Sequence, residues 1–377
     1  MDVSKIHPVL SKELEKRNLP DLLKKPSGEA VTSQEEWERK LRPYWLRLML
    51  EHEYGKQPAY VKPEISTSVN VVTFAGKAVW ETVIFTFEVN GKKHSFPTQL
   101  IYPVGANKVP FFTYLNFRPD IPDRYLPVEE LIDNGFGIFS VCYNDVTKDN
   151  DDFTDGLAGL FESEHRAESA TGKISYWAYA ASRMMDYLIT RPEADPNAIG
   201  IAGHSRLGKT ALLTGALDQR YAFVCANNSG CSGAAISRYP SKQGEKIEDV
   251  CKKFPYWFCP KYKRYVRNEQ ALPFDQHCLI AMLAPRAVYI GGAIEDLWAD
   301  NDNQFLSCVA ASKAWGLYGC EGIITPDKMP ECGDALTDSD VGFHLRKGTH
   351  YHSRTDWLIY MDAVKKLLAR KNRAKQK

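Results

Sequence analysis

The chain has 377 residues, and its 48 Lys and Arg against 47 Asp and Glu leave a formal net charge of +1 with His neutral. Hydrophobic residues make up 44% and charged residues 25%, the ordinary composition of a globular protein, which excludes disorder, collagen and coiled coil for the chain as a whole. The balanced charge argues against a dedicated nucleic-acid-binding protein, which would carry a basic excess or a basic stripe.

The first predicted elements are a helical N-terminal segment and an antiparallel hairpin. Residues 1–65 are predicted to form a charged, helical segment that packs on the core. Between residues 66 and 103, alternating apolar residues flank Asn90 and Gly91, a dipeptide typical of a tight β-hairpin turn. The apolar run over 109–116 predicts the next strand.

The rest of the chain alternates between helices and strands. Apolar patterns and turn residues predict these elements in chain order: helix 128–134, strand 136–143, helix 174–190, strand 198–202, helix 209–217, strands 223–227, 287–291 and 322–325, and helix 357–368. Such alternation is typical of a mostly parallel sheet with helices on both faces. We therefore predict one three-layer α/β domain over 66–369, with insertions around 144–172 and 236–276 and a basic tail over 370–377.

Neither a membrane span nor an export signal is predicted. The longest apolar runs fall far short of the ~20 residues of a membrane helix, and the charged N-terminus lacks the apolar core of a signal peptide. The nine Cys include no CxxC pair, which argues against zinc ribbons and thioredoxin-like redox motifs. We expect buried free thiols with one disulfide at most, and no metal site, since His277 has no helical i+4 partner.

The segment from Gly203 to Thr210 carries the most informative pattern, and it fits two incompatible mechanisms. As G-x-x-x-x-G-K-T it matches a P-loop, which would cradle phosphate groups. Around Ser205 it matches a strand–turn–helix elbow that exposes a nucleophilic serine. The strict G-x-S-x-G spacing fails, because Leu207 stands where the second glycine belongs and Gly208 follows one residue later.

Residues later in the chain favour the serine mechanism. A P-loop enzyme needs a Mg²⁺-binding Asp at the end of a neighbouring strand, but the next predicted strand ends in Asn227 and Asn228. A serine hydrolase of this layout needs an acid and then a His. Asp296 follows the predicted strand 287–291, and His350 lies on a Gly-containing loop before the last helix. The order Ser, acid, His is that of the α/β-hydrolase fold.

The segment around Ser205 also resembles a known family. Residues 203–209, Gly-His-Ser-Arg-Leu-Gly-Lys, are similar to the G-C-S-R-x-G-K motif of the glucuronoyl esterases, carbohydrate esterase family 15. The likeness looks closest to the bacterial branch and spans roughly residues 100–365. Its further matching segments are 227–233, 256–258, 275–277, 295–298 and the His350 loop.

The resemblance implies an α/β-hydrolase that cleaves esters between the 4-O-methyl-glucuronic acid of xylan and lignin alcohols, and that needs no cofactor. Its expected partners are glucuronoxylan and lignin–carbohydrate esters, with no nucleic acid and no membrane, and the expected state is a monomer. The family also implies a secreted or periplasmic mature form, although the lack of a signal peptide in this sequence leaves a cytoplasmic location open.

The chain departs from the family pattern at three positions. His204 stands where the family has a Cys beside the nucleophile, and His352 stands where fungal members have its partner Cys, so that disulfide is not expected. Asn228 stands where many members carry a Glu. The acid is then expected at Asp296, and the neighbouring Glu295 is expected to point elsewhere, since side chains reverse direction along a strand end.

The chemistry of ester hydrolysis assigns the first roles. Ser205 Oγ attacks the ester carbonyl, and His350 takes its proton and later gives it to the leaving alcohol, while Asp296 orients the imidazole. The oxyanion forms beside the backbone N–H of Arg206. The resemblance implies that the Arg206 guanidinium also stabilises this charge.

The sugar is expected to bind beside these groups. Lys209 lies one helical turn after Ser205, on the same face, and is expected to donate to sugar hydroxyls. By resemblance, Glu245 accepts from hydroxyls, and Trp298 supplies an indole N–H and an apolar face.

The sequence leaves alternatives open. His352 competes with His350 for the role of base, and Glu295 and Asp300 compete with Asp296 for the role of acid. An acetylxylan esterase or another carbohydrate esterase is a rival function, and a catalytically idle carbohydrate-binding α/β-hydrolase is a rival of a different class.

Overall fold

The structure is a computed structural model that describes residues 7–25, 27–162 and 165–375; residues 1–6, 376 and 377 of the predicted terminal segments lie outside the described residues. Within the described residues, ten strands form one sheet. Their bounds are β1 Glu64–Thr73, β2 Ala78–Val89, β3 Lys92–Pro103, β4 Val109–Asn116, β5 Gly137–Cys142, β6 Ala194–His204, β7 Phe223–Asn227, β8 Ala287–Ala293, β9 Ala335–Leu336 and β10 Val341–Arg346.

Helices flank the sheet and fill the segments between the strands. The α-helices are α1 Pro8–Glu15, α2 Gln34–Glu36, α3 Arg42–Met49, α4 Val128–Asp133, α5 Tyr143–Val146, α6 Gly156–Phe161, α7 Lys173–Leu188, α8 Arg206–Leu217, α9 Ile247–Lys253, α10 Gln276–Ala281, α11 Asn301–Ala311, α12 Lys313–Gly316 and α13 Arg354–Lys375. The π-helical turns Trp37–Leu41 and Leu50–Tyr54 extend α2 and α3, and 3-10 turns lie at Pro260–Tyr265, Glu269–Ala271 and Leu297–Ala299.

The sheet joins an antiparallel part to a parallel part. Its strand order is β1-β2-β3-β5-β4-β6-β7-β8-β10-β9. The pairs from β1 to β5 are antiparallel, the pairs from β5 through β10 are parallel, and β9 closes the far edge in antiparallel pairing. Asn90 and Gly91 form the turn between β2 and β3. Their φ angles of 51° and 77° are the left-handed backbone conformation that this hairpin turn requires.

Helices cover both faces of the sheet. On one face, α4 and α13 pack against the strands, and Trp357 lies edge-on to Phe112 with ring centroids 5.3 Å apart. On the other face, α7, α8, α10 and α11 bury side chains such as Trp177 and Leu213. Trp37 of the N-terminal segment belongs to this second cluster. The predicted three-layer α/β-hydrolase fold with an antiparallel N-terminal hairpin is confirmed.

The prediction of a strand over 322–325 is wrong. Residues 322–325 form no strand in the described chain. The Ile323 backbone N–H donates to Ser312 Oγ at 2.9 Å, and a Cβ at Gly322 would lie 2.1 Å from Ser312 Cβ. This segment is therefore held against the end of α11 and has no neighbouring strand.

The sheet continues instead with β10, which the sequence did not reveal. Its polar residues His344 and Arg346 interrupt the apolar pattern, and both bind Asp356, at 2.8 and 2.7 Å. The last helix also begins earlier and ends later than the predicted 357–368, so the described part of the predicted tail 370–377 is helical up to Lys375.

All nine Cys are free, and each lies within the described residues. None of the helices in the described part of the chain combines the length and the apolar composition that a bilayer span requires.

Candidate active site

Ser205 lies at the tip of a sharp turn between β6 and α8. Its backbone has φ 57° and ψ −127°, a strained conformation for a residue with a side chain. A Cβ at Gly203 would lie 2.1 Å from the Leu207 carbonyl oxygen, so only glycine lets the helix fold back this closely on the strand. Because Arg206 is the first residue of α8, its backbone N–H has no acceptor within the helix.

An acid and a histidine meet beside this turn. His350 Nδ1 lies 2.6 Å from Asp296 Oδ2 and donates to it. Asn228 Nδ2 donates to the same oxygen at 2.5 Å. The Asp296 side chain is 4% exposed and that of His350 is 42% exposed, so a buried carboxylate holds an accessible ring. A proton on Nδ1 leaves Nε2 of His350 as the atom that can accept one.

The rivals for these roles lie elsewhere. Glu295 is exposed. Asp300 Oδ2 accepts from Asn303 Nδ2 at 2.8 Å. His352 is fully buried, and its Nδ1 hydrogen-bonds the Tyr114 hydroxyl at 3.1 Å. Burial lowers the pKa of His352 to about 4. The described structure thus pairs His350 with Asp296 and gives the three rivals other surroundings.

His204 and His352, which stand at the two family cysteine positions, lie against each other. Their rings are stacked, 5.8 Å between centroids with a 19° angle between planes, and the His204 ring also lies 4.6 Å from that of His350. His204 Nδ1 donates to Asn227 Oδ1 at 2.6 Å. Burial lowers the pKa of His204 well below its ordinary value, so the ring is neutral. Ring stacking therefore joins the nucleophile turn to the histidine loop where a disulfide is absent.

A cavity of about 240 Å³ opens at Ser205, and most of the predicted site residues line it. Its lining residues are Ser205, Arg206, Lys209, Asn228, Ser229, Gly230, Glu245, Lys253, Phe254, Trp257, Trp298, Ala299 and His350. Asp296 lies behind His350 and completes the predicted set.

Lys209 and Glu245 form a buried ion pair in the wall of this cavity. The Lys209 ammonium donates to three protein oxygens: Glu245 Oε2 at 2.8 Å, the Ser229 carbonyl at 2.6 Å and the Cys231 carbonyl at 2.5 Å. Trp298 Nε1 donates to Glu245 Oε1 at 3.2 Å. An ammonium has three N–H groups, so Lys209 can donate to a sugar only by giving up one of these contacts. The Glu245 carboxylate keeps lone pairs for a hydroxyl donor.

The Arg206 guanidinium lies in an aromatic corner of the cavity. Its central carbon is 4.7 Å from the centroid of Trp257 and 5.1 Å from that of Phe254. These two rings stack face to face at 3.9 Å. One guanidinium nitrogen donates to Asp149 Oδ2. The cation is therefore fixed in the wall of the cavity that Ser205 also lines.

Sequence reasoning missed several residues of this site. Lys253, Phe254 and Trp257 come from the insertion at 236–276, and Asp149 comes from the insertion at 144–172. Neither segment has the periodicity or spacing that would indicate a role for these residues. Trp257 had the one available signal, because it lies in a segment that carries the family resemblance.

The sequence is similar to a known family and to characterised members of it. The family model described as glucuronyl esterase of fungi matches residues 85–319. A carbohydrate esterase from an unknown prokaryotic organism is 32% identical over 93% of this chain and 89% of its own length. A 4-O-methyl-glucuronoyl methylesterase from Schizophyllum commune is 29% identical over 78% of this chain and 72% of its own length.

Solved structures agree with this assignment. A glucuronoyl esterase from Solibacter usitatus superposes with a TM-score of 0.86 at 31% identity, covering 93% of this chain and 97% of that one. A promiscuous family 15 carbohydrate esterase from a marine bacterial metagenome superposes with a TM-score of 0.84 at 30% identity, covering 93% and 96%. The chain therefore belongs to the glucuronoyl esterase family, and it is a carboxylic ester hydrolase with an α/β-hydrolase fold.

Proposed function

We propose that the chain hydrolyses the ester between glucuronic acid, or its 4-O-methyl derivative, and an alcohol through an acyl-enzyme on Ser205. The observation that carries the proposal is the 2.6 Å hydrogen bond between Asp296 and His350 at a cavity that Ser205 also lines. Nucleophile, base and acid in this arrangement are the groups that acyl transfer needs.

The first half of the reaction forms the acyl-enzyme. His350 Nε2 removes the Ser205 Oγ proton while Oγ bonds to the ester carbonyl carbon. Asp296 stabilises the imidazolium, and Asn228 holds the other side of the same carboxylate oxygen. The tetrahedral intermediate then expels the alkoxide, which takes the proton from Nε2 and leaves as the alcohol.

The second half returns the free enzyme. His350 Nε2 removes a proton from water as its oxygen attacks the acyl carbon, and collapse releases glucuronate and restores the Ser205 hydroxyl. In both halves the carbonyl oxygen carries a negative charge beside the Arg206 backbone N–H and guanidinium. One such donor is worth about 10²–10³ in kcat.

The cavity supports a monosaccharide as the acyl part. At about 240 Å³ it lies below the ~300–1000 Å³ of sites for drug-sized ligands, so it suits one sugar ring. Glu245 would accept from sugar hydroxyls, held in place by Lys209 and Trp298. The alcohol and the polymer would then lie outside, which fits glucuronoxylan and lignin–carbohydrate esters as the natural substrates.

The test is turnover of benzyl glucuronate compared with p-nitrophenyl acetate by the purified chain. We expect a higher kcat/KM for the glucuronate ester, since only that substrate fills the sugar site. Turnover of the acetate alone would replace this proposal with an acetyl esterase. Turnover of neither, with bound xylan fragments, would support an idle carbohydrate-binding protein.

A further inference from the structure

We infer that Asp149 is the residue that positions the Arg206 guanidinium for oxyanion stabilisation. Asp149 lies in the insertion at 144–172, which the mechanism above does not use. Its side chain is 9% exposed, and its Oδ2 accepts from Arg206 Nη1. The inference rests on the proposed acyl transfer at Ser205 and extends it to a residue that does not touch the substrate.

The Asp149 carboxylate collects donors from three separate parts of the chain. Oδ2 also accepts from the Tyr143 hydroxyl at 3.0 Å, and Oδ1 accepts from Trp257 Nε1 at 2.6 Å. The Asp149 carbonyl accepts from the Tyr256 hydroxyl at 3.0 Å. Its position is therefore determined by the first residue of α5, by α8 and by the insertion at 236–276.

Arg206 depends on this anchor. Among the described residues, Asp149 is the one acidic side chain paired with its guanidinium. The aromatic rings of Trp257 and Phe254 restrict the plane of the cation but offer it no hydrogen-bond acceptor. An unanchored arginine side chain has many rotamers, and ordering it costs free energy at every turnover. Because Nε is buried, anchoring Nη1 leaves the second Nη group for the substrate oxygen.

The sign of the effect separates positioning from simple charge. The Asp149 carboxylate partly neutralises Arg206, so removing its charge would strengthen oxyanion stabilisation if the cation stayed in place. Asn holds the cation less well: an amide oxygen turned to Arg206 and Tyr143 puts the amide NH₂ against the Trp257 N–H, and the reverse orientation puts the NH₂ against Arg206. Asp149→Asn should therefore slow the reaction.

The test is a double-mutant cycle of Asp149→Asn and Arg206→Met, with Asp151→Asn as the matched control. Asp151 is an exposed carboxylate of the same loop. We expect Asp149→Asn to lower kcat by about ten- to a hundredfold, the value of one hydrogen bond to a charged group, with little change in KM. In the Arg206→Met background the same change should stay within about twofold. Asp151→Asn should match the wild type.

The same cycle is run on benzyl glucuronate and on p-nitrophenyl acetate, because both esters form an oxyanion. Losses on both esters that vanish without Arg206 support the inference. An Asp149→Asn enzyme as fast as Asp151→Asn, or a loss that persists undiminished in Arg206→Met, overturns it. Wild-type turnover of the acetate alone would reject the glucuronate proposal but leave the Asp149 test intact. A lowered unfolding midpoint caused by Asp149→Asn would lower kcat in both backgrounds, so it cancels when the two losses are divided by each other.

Discussion

The buried pair of Lys209 and Glu245 allows the sharpest prediction about the sugar site. The perturbation is Lys209→Met, which keeps an unbranched side chain of similar length and removes the ammonium. The two side chains are only 3% and 8% exposed, so the Glu245 carboxylate would be left buried without its cation. Breaking such a pair by removing one partner costs about 3–5 kcal/mol of folding free energy.

The double variant tests whether this cost belongs to the pair. Glu245→Gln removes the stranded charge, so Lys209→Met with Glu245→Gln should unfold at a higher denaturant concentration than Lys209→Met alone. The coupling should be about 0.5–3 kcal/mol, the range for residues in direct contact. Lys242→Met is the matched control, because Lys242 is an exposed lysine of the insertion at 236–276, which also carries Glu245.

Activity separates sugar binding from support of the nucleophile turn. Loss of Lys209 releases the Glu245 carboxylate, so kcat/KM should fall about ten- to a hundredfold on methyl, allyl and benzyl glucuronates alike. The sugar part is common to all three esters, and p-nitrophenyl acetate has no hydroxyl to bind, so its turnover should fall much less. Equal losses on acetate and glucuronate would refute this reasoning and show that Lys209 supports the Ser205 turn.

Two further predictions concern the triad acid and the pH dependence of stability. Asp296→Asn should lower kcat by up to ~10⁴ on benzyl glucuronate, whereas Glu295→Gln should change it little; a larger loss from Glu295→Gln would reassign the acid. Burial raises the pKa of Glu53 from its ordinary 4.5 to about 8, so the folded state holds a proton that the unfolded chain has released, and stability should fall between those pH values by at most ~1.4 kcal/mol per unit. Glu53→Gln should flatten this slope in denaturant unfolding at pH 5 and pH 8, and an unchanged slope would contradict the assignment.

The parallel strands and their helices were predictable because each has its own apolar pattern. Strand β7 occurs at the predicted residues. Strand β6 is a few residues longer than predicted at both ends, and α8 is a few residues longer at its N-terminal end. β10 was not predictable in this way, because His344 and Arg346 face a carboxylate that lies ten or more residues further along the chain. A buried polar residue whose hydrogen-bond partner is distant in sequence has the same local pattern as a loop residue.

The candidate site shows the same division. Ser205, Asp296 and His350 follow from strand ends and their order along the chain, and the structure brings the last two within hydrogen-bond distance. The contacts of Arg206 with Asp149 join residues 57 positions apart through irregular insertions. Local sequence patterns do not indicate such pairs, and only the three-dimensional structure shows that these residues are in contact.

The role of Ser205 as nucleophile is the central claim, and Ser205→Ala tests it most directly. The measurement is kcat on benzyl glucuronate, with circular dichroism and xylan-fragment binding to show that the variant is folded and still holds the sugar. Removing the one oxygen that forms the acyl-enzyme should lower kcat by far more than a hundredfold, with fold and sugar affinity retained. A folded Ser205→Ala enzyme that keeps more than about a hundredth of the parent rate would contradict the account.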